Sequence, residues 1–113
     1  MTTKMKKVTG SGGVFFKAND PAKLRDWYRQ HLGIDSNDNG AADFQWRETE
    51  TDRIGRTVWS AFPHDTSYFD PSEKQFMINY RFANLDALLT ELRSAGVAVD
   101  DRIEEYDYGR FAW

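Results

Sequence analysis

The feature that most constrains this chain is an internal repeat of a strand pattern followed by a capped amphipathic helix. The layout of residues 14–34 recurs in residues 75–97, about 64 positions later. Because self-similarity at a fixed spacing marks a repeated supersecondary unit, we expect two copies of one α+β module. The alignment pairs Lys17 with Arg81, Asp20 with Asn84, and Leu24 with Leu88.

The first copy contains a strand at about residues 13–18 and a helix with clear start and stop signals. Asp20 can accept hydrogen bonds from the first turn, and Pro21 suits the first helical position. Gly33 ends the helix because glycine tolerates a left-handed backbone. The apolar stripe of this helix is Leu24, Trp27, Tyr28 and Leu32, and we interpret Trp27 and Tyr28 as core residues.

The middle of the chain predicts an antiparallel hairpin. Its strands are residues 42–46 and 56–62, joined by a polar loop from Glu48 to Gly55. Pro63 ends the second strand, and residues 67–69 are a candidate for a brief further strand.

The second copy begins with a strong strand at residues 76–82. Asn84 replaces aspartate as the helix cap, and Gly96 ends the helix. Strand character resumes at residues 97–99, and another strand begins at Arg110.

These patterns resemble a known superfamily. The residues that carry the resemblance are VFFKANDPAKLRDWYRQHLG in the first copy and FMINYRFANLDALLTELRSAGV in the second. Trp59-Ser-Ala-Phe62 and residues 107–113 add to it. The chain resembles the glyoxalase / bleomycin-resistance / extradiol-dioxygenase superfamily, also called the vicinal oxygen chelate fold, over about residues 13–113.

The resemblance implies an α+β fold of two βαβββ modules. The first module occupies about residues 13–74 and the second about residues 75–113, after a flexible leader of residues 1–12. The second module then lacks its final strand. We expect the sheet edge left there to be covered by a partner chain, by the leader, or by an exchanged strand.

The resemblance also locates the metal positions of the superfamily. Metal-dependent members place His, Gln or Glu at four strand positions on a concave face, the first about seven residues before the helix cap. That position is Gly13 in the first copy and Met77 in the second, and neither offers an oxygen or nitrogen ligand. Only the region of residues 64–72 remains for another ligand. The chain therefore predicts no metal and no cofactor.

Strand alternation nominates residues for a ligand cavity. Side chains two positions apart share a face, so Phe15, Lys17, Asn79 and Arg81 accompany Gly13 and Met77. Trp46 and Trp59 could supply stacking walls for a planar ligand. The predicted ligand-binding residues are Phe15, Lys17, Trp46, Trp59, Met77, Asn79 and Arg81.

Each of these assignments has a structural alternative. Lys17 and Arg81 lie where their strands end and could simply reach water, and the two tryptophans could be core. The opposite strand faces are expected to pack beneath the helices; their residues are Val14, Phe16, Ile78, Tyr80 and Phe82. His31 and His64 are interpreted as structural or solvated, and the acidic run of residues 100–107 as a solvated sheet edge.

Composition narrows the class of protein. The formal charge of −3 argues against a nucleic-acid surface, and the absence of cysteine excludes disulfides and thiolate chemistry. No apolar run could cross a membrane and no signal peptide is apparent, so we expect a cytoplasmic protein.

The sequence therefore predicts a metal-independent small-molecule-binding protein with its ligand in the concave cavity of the paired modules, and the resemblance implies a homodimer. The alternative is a metal-dependent lyase, isomerase or dioxygenase whose site a partner chain completes. No catalytic residue is assigned.

Overall fold

The structure, a computed structural model, describes residues 8–37, 40–49 and 51–113. One compact unit spans Thr9–Arg81, and a second includes Phe82–Trp113. The elements in chain order are β1 (Val8–Ala18), α1 (Pro21–Leu32), β2 (Ala41–Arg47), β3 (Ile54–Pro63), β4 (Phe76–Phe82), α2 (Leu85–Ser94), β5 (Ile103–Tyr106) and β6 (Gly109–Ala112).

The larger unit is organised around a four-stranded sheet in the order β2-β3-β1-β4. The predicted hairpin is confirmed, because β2 and β3 pair antiparallel from Ala41 opposite Ser60 to Arg47 opposite Ile54. The first strand runs parallel to β3 on one side. On its other side the Lys17 N–H donates to the Gln75 carbonyl at 2.8 Å. The opening strands of the two repeats therefore lie side by side.

The first strand is longer than predicted. It begins at Val8, so residues 8–12, which the sequence analysis placed in the leader, are strand; residues 1–7 lie outside the described residues. Glycines disfavour strands in isolation, and this made the segment look like a leader. Neighbours on both sides override that preference. The Thr57 hydroxyl donates to the Ser11 carbonyl at 2.8 Å, and Gly12 lies directly against Asn79.

The core of the larger unit is aromatic. Phe69 is 1% exposed and packs edge-on against Phe62, whose ring stacks on Tyr68 at 5.3 Å. The ring of Phe15 joins from β1. The brief strand predicted at residues 67–69 is wrong. This segment is a turn whose N–H groups bond locally, as from Asp70 to the Ser67 carbonyl, while its rings fill the core.

The first helix begins and ends as predicted. Asp20 Oδ1 accepts from the Lys23 N–H at 3.1 Å, and Gly33 has φ 69°. Tyr28 packs on Phe16 and Trp59, as a core residue should. Trp27 does not, because it is 51% exposed and its ring pairs with those of Tyr28 and His31 on the same helix, at 5.2 Å and 4.7 Å. Tyr28 therefore faces the sheet from α1, whereas Trp27 remains half exposed to solvent.

The expectation of which strand residues lie beneath the helices is also wrong in part. Phe16 packs as predicted, whereas Val14, Ile78 and Tyr80 are exposed. Alternation identifies which residues share a face but not whether that face is covered, since coverage depends on where the helices pack.

In the second unit, α2 is capped by Asn84 Oδ1, which accepts from the Ala87 N–H, and Leu89 is buried. The strand predicted at residues 97–99 is absent. Gly96 has φ 80° and the Val97 N–H donates to the Leu92 carbonyl, so this backbone caps the helix instead of pairing. The strand predicted from Arg110 is present as β6, in a hairpin with β5.

Acidic residues on the β5–β6 hairpin are partnered within it. The Tyr106 hydroxyl donates to Glu104 Oε1, and Arg102 Nε donates to Oε2 at 2.7 Å. These two hydrogen bonds hold the pKa of the Glu104 carboxyl below its ordinary value. No helix in the described part of the chain is long and apolar enough to cross a membrane.

The aromatic core makes a direct prediction. Replacing Phe69→Ala removes a fully buried ring and leaves a cavity, so the free energy of unfolding should fall by about 3–5 kcal/mol. Urea titration followed by circular dichroism measures the loss. The matched control is Phe44→Ala on β2, where the ring is already exposed, and its loss should be well under half as large. Equal losses in the two variants would contradict an aromatic core centred on Phe69.

Candidate ligand-binding site

The seven predicted ligand-binding residues lie in separate places. Three of them, Trp46, Asn79 and Arg81, come together over glycine residues of β1 and β3. Phe15 and Lys17 lie at the aromatic core, where the Lys17 ammonium is 5.4 Å from the centre of the Phe69 ring. We refer to Trp46, Asn79 and Arg81, with Glu48 described below, as the arginine site.

The other two predicted residues lie outside the arginine site. Trp59 packs against Phe16 at 5.2 Å and Tyr28 at 5.0 Å, which is the core alternative raised by the sequence. Met77 is half-buried on β4.

Trp46 forms one wall of the arginine site. Its indole N–H donates to the Thr57 hydroxyl at 2.9 Å, which fixes the ring across the hairpin. The ring lies directly on the backbone of Gly10 and Gly55, where a Cβ added to either glycine would clash with it. Close approach is possible here because glycine has no side chain.

Arg81 brings a cation to this wall. Its guanidinium carbon is 5.3 Å from the centre of the Trp46 ring, within cation–π range. Its Nη1 atom is 3.3 Å from Glu48 Oε1, although the contact is not aligned as a hydrogen bond, and Nη1 is buried without a hydrogen-bond partner among the described residues. The Arg81 side chain is 35% exposed and that of Glu48 only 11%.

Glu48 is the residue of the site that sequence reasoning missed. It was placed in a polar loop, but it follows β2 at two positions from Trp46, and that spacing is the signal that could have placed it beside the indole. Its other oxygen, Oε2, accepts from the Thr51 hydroxyl at 2.6 Å. Its N–H donates to the Arg53 carbonyl at 2.8 Å and closes the turn.

Asn79 supplies an amide next to the cation. Its Oδ1 faces the backbone of Gly12, and no hydrogen bond joins the side chain to any residue that the structure describes. A half-buried amide without a protein partner can bond a ligand or water. Cation, amide and indole together suit a small molecule that combines an anionic or carbonyl group with an apolar part.

Two of the four metal positions of the superfamily, at Gly13 and Met77, offer no oxygen or nitrogen ligand in this chain. Gly13 has no side chain and is covered by the Phe15 ring, and Met77 offers only a thioether. Across residues 8–37, 40–49 and 51–113, no three His, Asp or Glu side chains come together in a way that could hold a metal ion.

A shallow groove of about 310 Å³ lies elsewhere, at the start of α1. It contains none of the seven predicted residues. Its walls are Ala18, Asn19, Asp20, Lys23, Leu24 and Trp27.

Comparison with known proteins identifies the fold. No protein-family model matches the sequence, and no curated protein matches it. Comparison with solved structures shows that the chain has the vicinal oxygen chelate fold, as the sequence resemblance predicted. The similar structures are methylmalonyl-CoA epimerases, at sequence identities of 17–20%, a level that establishes the fold and leaves the activity open.

Three of these structures give the extent of the likeness. An epimerase from Streptomyces coelicolor in complex with 2-nitronate-propionyl-CoA has a TM-score of 0.62 and 17% identity, covering 94% of this chain and 88% of its own. An epimerase in complex with methylmalonyl-CoA and NH4+ has a TM-score of 0.63 and 17% identity, with coverages of 93% and 83%. The Mycobacterium tuberculosis enzyme has a TM-score of 0.50 and 20% identity, with coverages of 99% and 83%.

A double-mutant cycle tests the arginine site. If Arg81 and Glu48 interact in a partly shielded setting, Arg81→Met and Glu48→Gln should show a coupling of about 1 kcal/mol in the free energy of unfolding. The control cycle uses Arg47→Met and Asp52→Asn, an ion pair of the same 3.3 Å length that is largely exposed. Its coupling should be close to zero. A coupling no larger at Arg81–Glu48 than in the control would contradict the shielded pair.

Proposed function

We propose that this protein binds a small molecule at the arginine site and holds the anionic or carbonyl group of that molecule with Arg81 and Asn79. The observation that carries the proposal is the buried Nη1 of Arg81, which has no hydrogen-bond partner among the described residues. A buried donor without a partner is costly, so it marks a place where a ligand acceptor would stabilise the protein.

The fold neighbours suggest the chemical class. Their printed ligands are 2-nitronate-propionyl-CoA and methylmalonyl-CoA. Methylmalonyl-CoA combines a carboxylate with a thioester carbonyl on the same short acyl group. That pair of acceptors matches a guanidinium beside an amide, and so we propose a carboxylated acyl thioester or a related acyl acid as the ligand. This choice of ligand class rests on the fold that the chain shares with the epimerases.

We further propose that binding does not require a metal. Support comes from the side chains themselves, because Gly13 and Met77 offer no oxygen or nitrogen ligand at the positions the superfamily uses. The second candidate function is a metal-dependent lyase, isomerase or dioxygenase completed by a partner chain. The epimerase neighbours favour that candidate, and elemental analysis showing one divalent metal per chain would establish it over the first.

Isothermal titration with methylmalonyl-CoA tests the proposal. The wild-type protein should bind, and a molar excess of EDTA over the protein should leave the affinity unchanged. Arg81→Met should weaken binding by roughly tenfold or more, because a charge-assisted contact is lost. The control is Arg93→Met, an exposed arginine on α2, which should bind like the wild type. Binding lost on EDTA treatment, or equally weakened by both substitutions, would contradict the proposal.

We also propose that the protein is a homodimer, which the family resemblance implies. The cytoplasmic location stays a prediction. Among the described residues β4 is the outermost strand of the sheet on its side, and it carries exposed apolar side chains at alternating positions: Phe76, Ile78 and Tyr80. An exposed apolar strand at a sheet edge is a surface that a second copy can cover.

Light scattering after size exclusion tests the homodimer. The wild-type protein should elute at twice its chain mass of 13.1 kDa. Ile78→Glu should shift it towards the monomer, since a charge placed in an apolar interface is costly to bury. Tyr108→Glu, at an exposed residue of the β5–β6 hairpin, is the control and should leave the dimer intact. A monomeric wild-type protein would refute the proposal.

A further inference from the structure

We propose that Glu48 is a resident carboxylate in the anion subsite of Arg81, and that the ligand's own carboxylate replaces it on binding. This inference rests on the proposed function, and it narrows the ligand to one that carries a carboxylate. It also makes Glu48 the residue that sets the affinity for anions.

The contact between Glu48 and Arg81 occupies the subsite without satisfying it. Oε1 approaches Nη1 to 3.3 Å, yet Nη1 has no hydrogen-bond partner among the described residues. A guanidinium is matched best by a carboxylate that meets two of its N–H groups in one plane. Backbone hydrogen bonds anchor Glu48 in the turn, and its carboxylate does not reach that alignment, whereas a diffusible carboxylate is free to adopt it.

The turn that carries Glu48 gives its carboxylate somewhere to go. Thr51, Asp52 and Arg53 are all exposed, and among the described residues of the turn the second carboxylate oxygen accepts from the Thr51 hydroxyl. Rotation of the Glu48 side chain away from Arg81 would break that one hydrogen bond and take the charge of the carboxylate into water. Among the described residues of the turn, the Glu48 N–H donates to the Arg53 carbonyl and the Asp52 N–H donates to the Glu48 carbonyl. Rotation of the side chain does not break these backbone hydrogen bonds.

The rest of the arginine site defines what else the ligand carries. The Asn79 amide can donate to a carbonyl or accept from a hydroxyl. The Trp46 ring, stacked against the guanidinium, offers an apolar surface next to the charge. A flat or compact acyl group bearing one carboxylate satisfies all three neighbours.

A structural role for Glu48 makes the opposite prediction about affinity. If Glu48 only positions Arg81, its removal should disorder the cation and weaken anion binding. If Glu48 competes with the ligand, its removal should strengthen anion binding, because the guanidinium is left without an anion. The sign of the change therefore separates the two roles.

The experiment uses benzoate as the probe and its neutral isostere benzamide as the reference. Binding is followed by the NMR shift of the Trp46 indole N–H, which reports on this site separately from the other tryptophans. Glu48→Gln should tighten benzoate binding by about fivefold, the size of a modest ion pair, and change benzamide binding by less than about twofold. Glu73→Gln removes the same charge from an exposed residue outside the site and should change neither.

A second variant covers the case in which Glu48→Gln does not fold. Thr51→Val keeps the shape of the side chain but removes the hydroxyl that holds Oε2, so Glu48 is displaced more easily. Benzoate binding should tighten by about twofold.

Three results would overturn the inference. They are unchanged or weaker benzoate binding in Glu48→Gln, equal tightening for benzamide, and no shift of the Trp46 indole with benzoate in either protein. In each of these cases the proposed function is judged separately, by methylmalonyl-CoA binding to the wild-type protein and its loss in Arg81→Met.

Discussion

The pairing of β1 with a strand on each side is the constraint on which the larger unit depends. Backbone N–H and C=O groups in a covered strand need partners, and β1 finds them in β3 on one side and β4 on the other. Lys17 lies by Gln75 at one end and Gly12 lies by Asn79 at the other, so β1 and β4 run in opposite directions. This arrangement carries Arg81 from the second repeat to the tryptophan of the first hairpin.

The arginine site follows from this pairing because glycine leaves room for it. The side chains of Trp46, Asn79 and Arg81 occupy the space that a Cβ would fill at glycines of β1 and β3. The same glycines that made the start of β1 look like a leader are therefore the floor of the site. The Glu48 carboxylate lies beside the Arg81 guanidinium and shields its charge. The guanidinium Nη1 nevertheless has no hydrogen-bond partner among the described residues. A ligand carboxylate with better alignment would satisfy that cation, and this is the physical basis of the displacement proposed for Glu48.

Local signals predicted the elements whose boundaries depend on nearby residues. The caps at Asp20 and Asn84 and the left-handed Gly33 and Gly96 are all present, because each is decided by hydrogen bonds within a few residues. The β2–β3 hairpin is also present, because its two strands follow each other directly in the chain. The failures occur where distant packing decides. The sequence predicted a brief strand at residues 67–69, because aromatic residues such as Tyr68 and Phe69 are enriched in strands. In the structure the same rings fill the core from a turn.

Residue type and spacing by themselves determined the repeat and the absence of oxygen or nitrogen ligands at Gly13 and Met77, and the resemblance of the sequence to a known superfamily predicted the vicinal oxygen chelate fold. Tertiary structure alone decided which of the seven nominated residues meet. Strand alternation assigns a face only. Arg81 lies beside Trp46 and Glu48 because of strand register, the close approach over glycine and the path of the turn. The same register leaves Trp59 packed against Tyr28 of α1. Those distances arise from pairings between residues far apart in the chain, which no local pattern encodes.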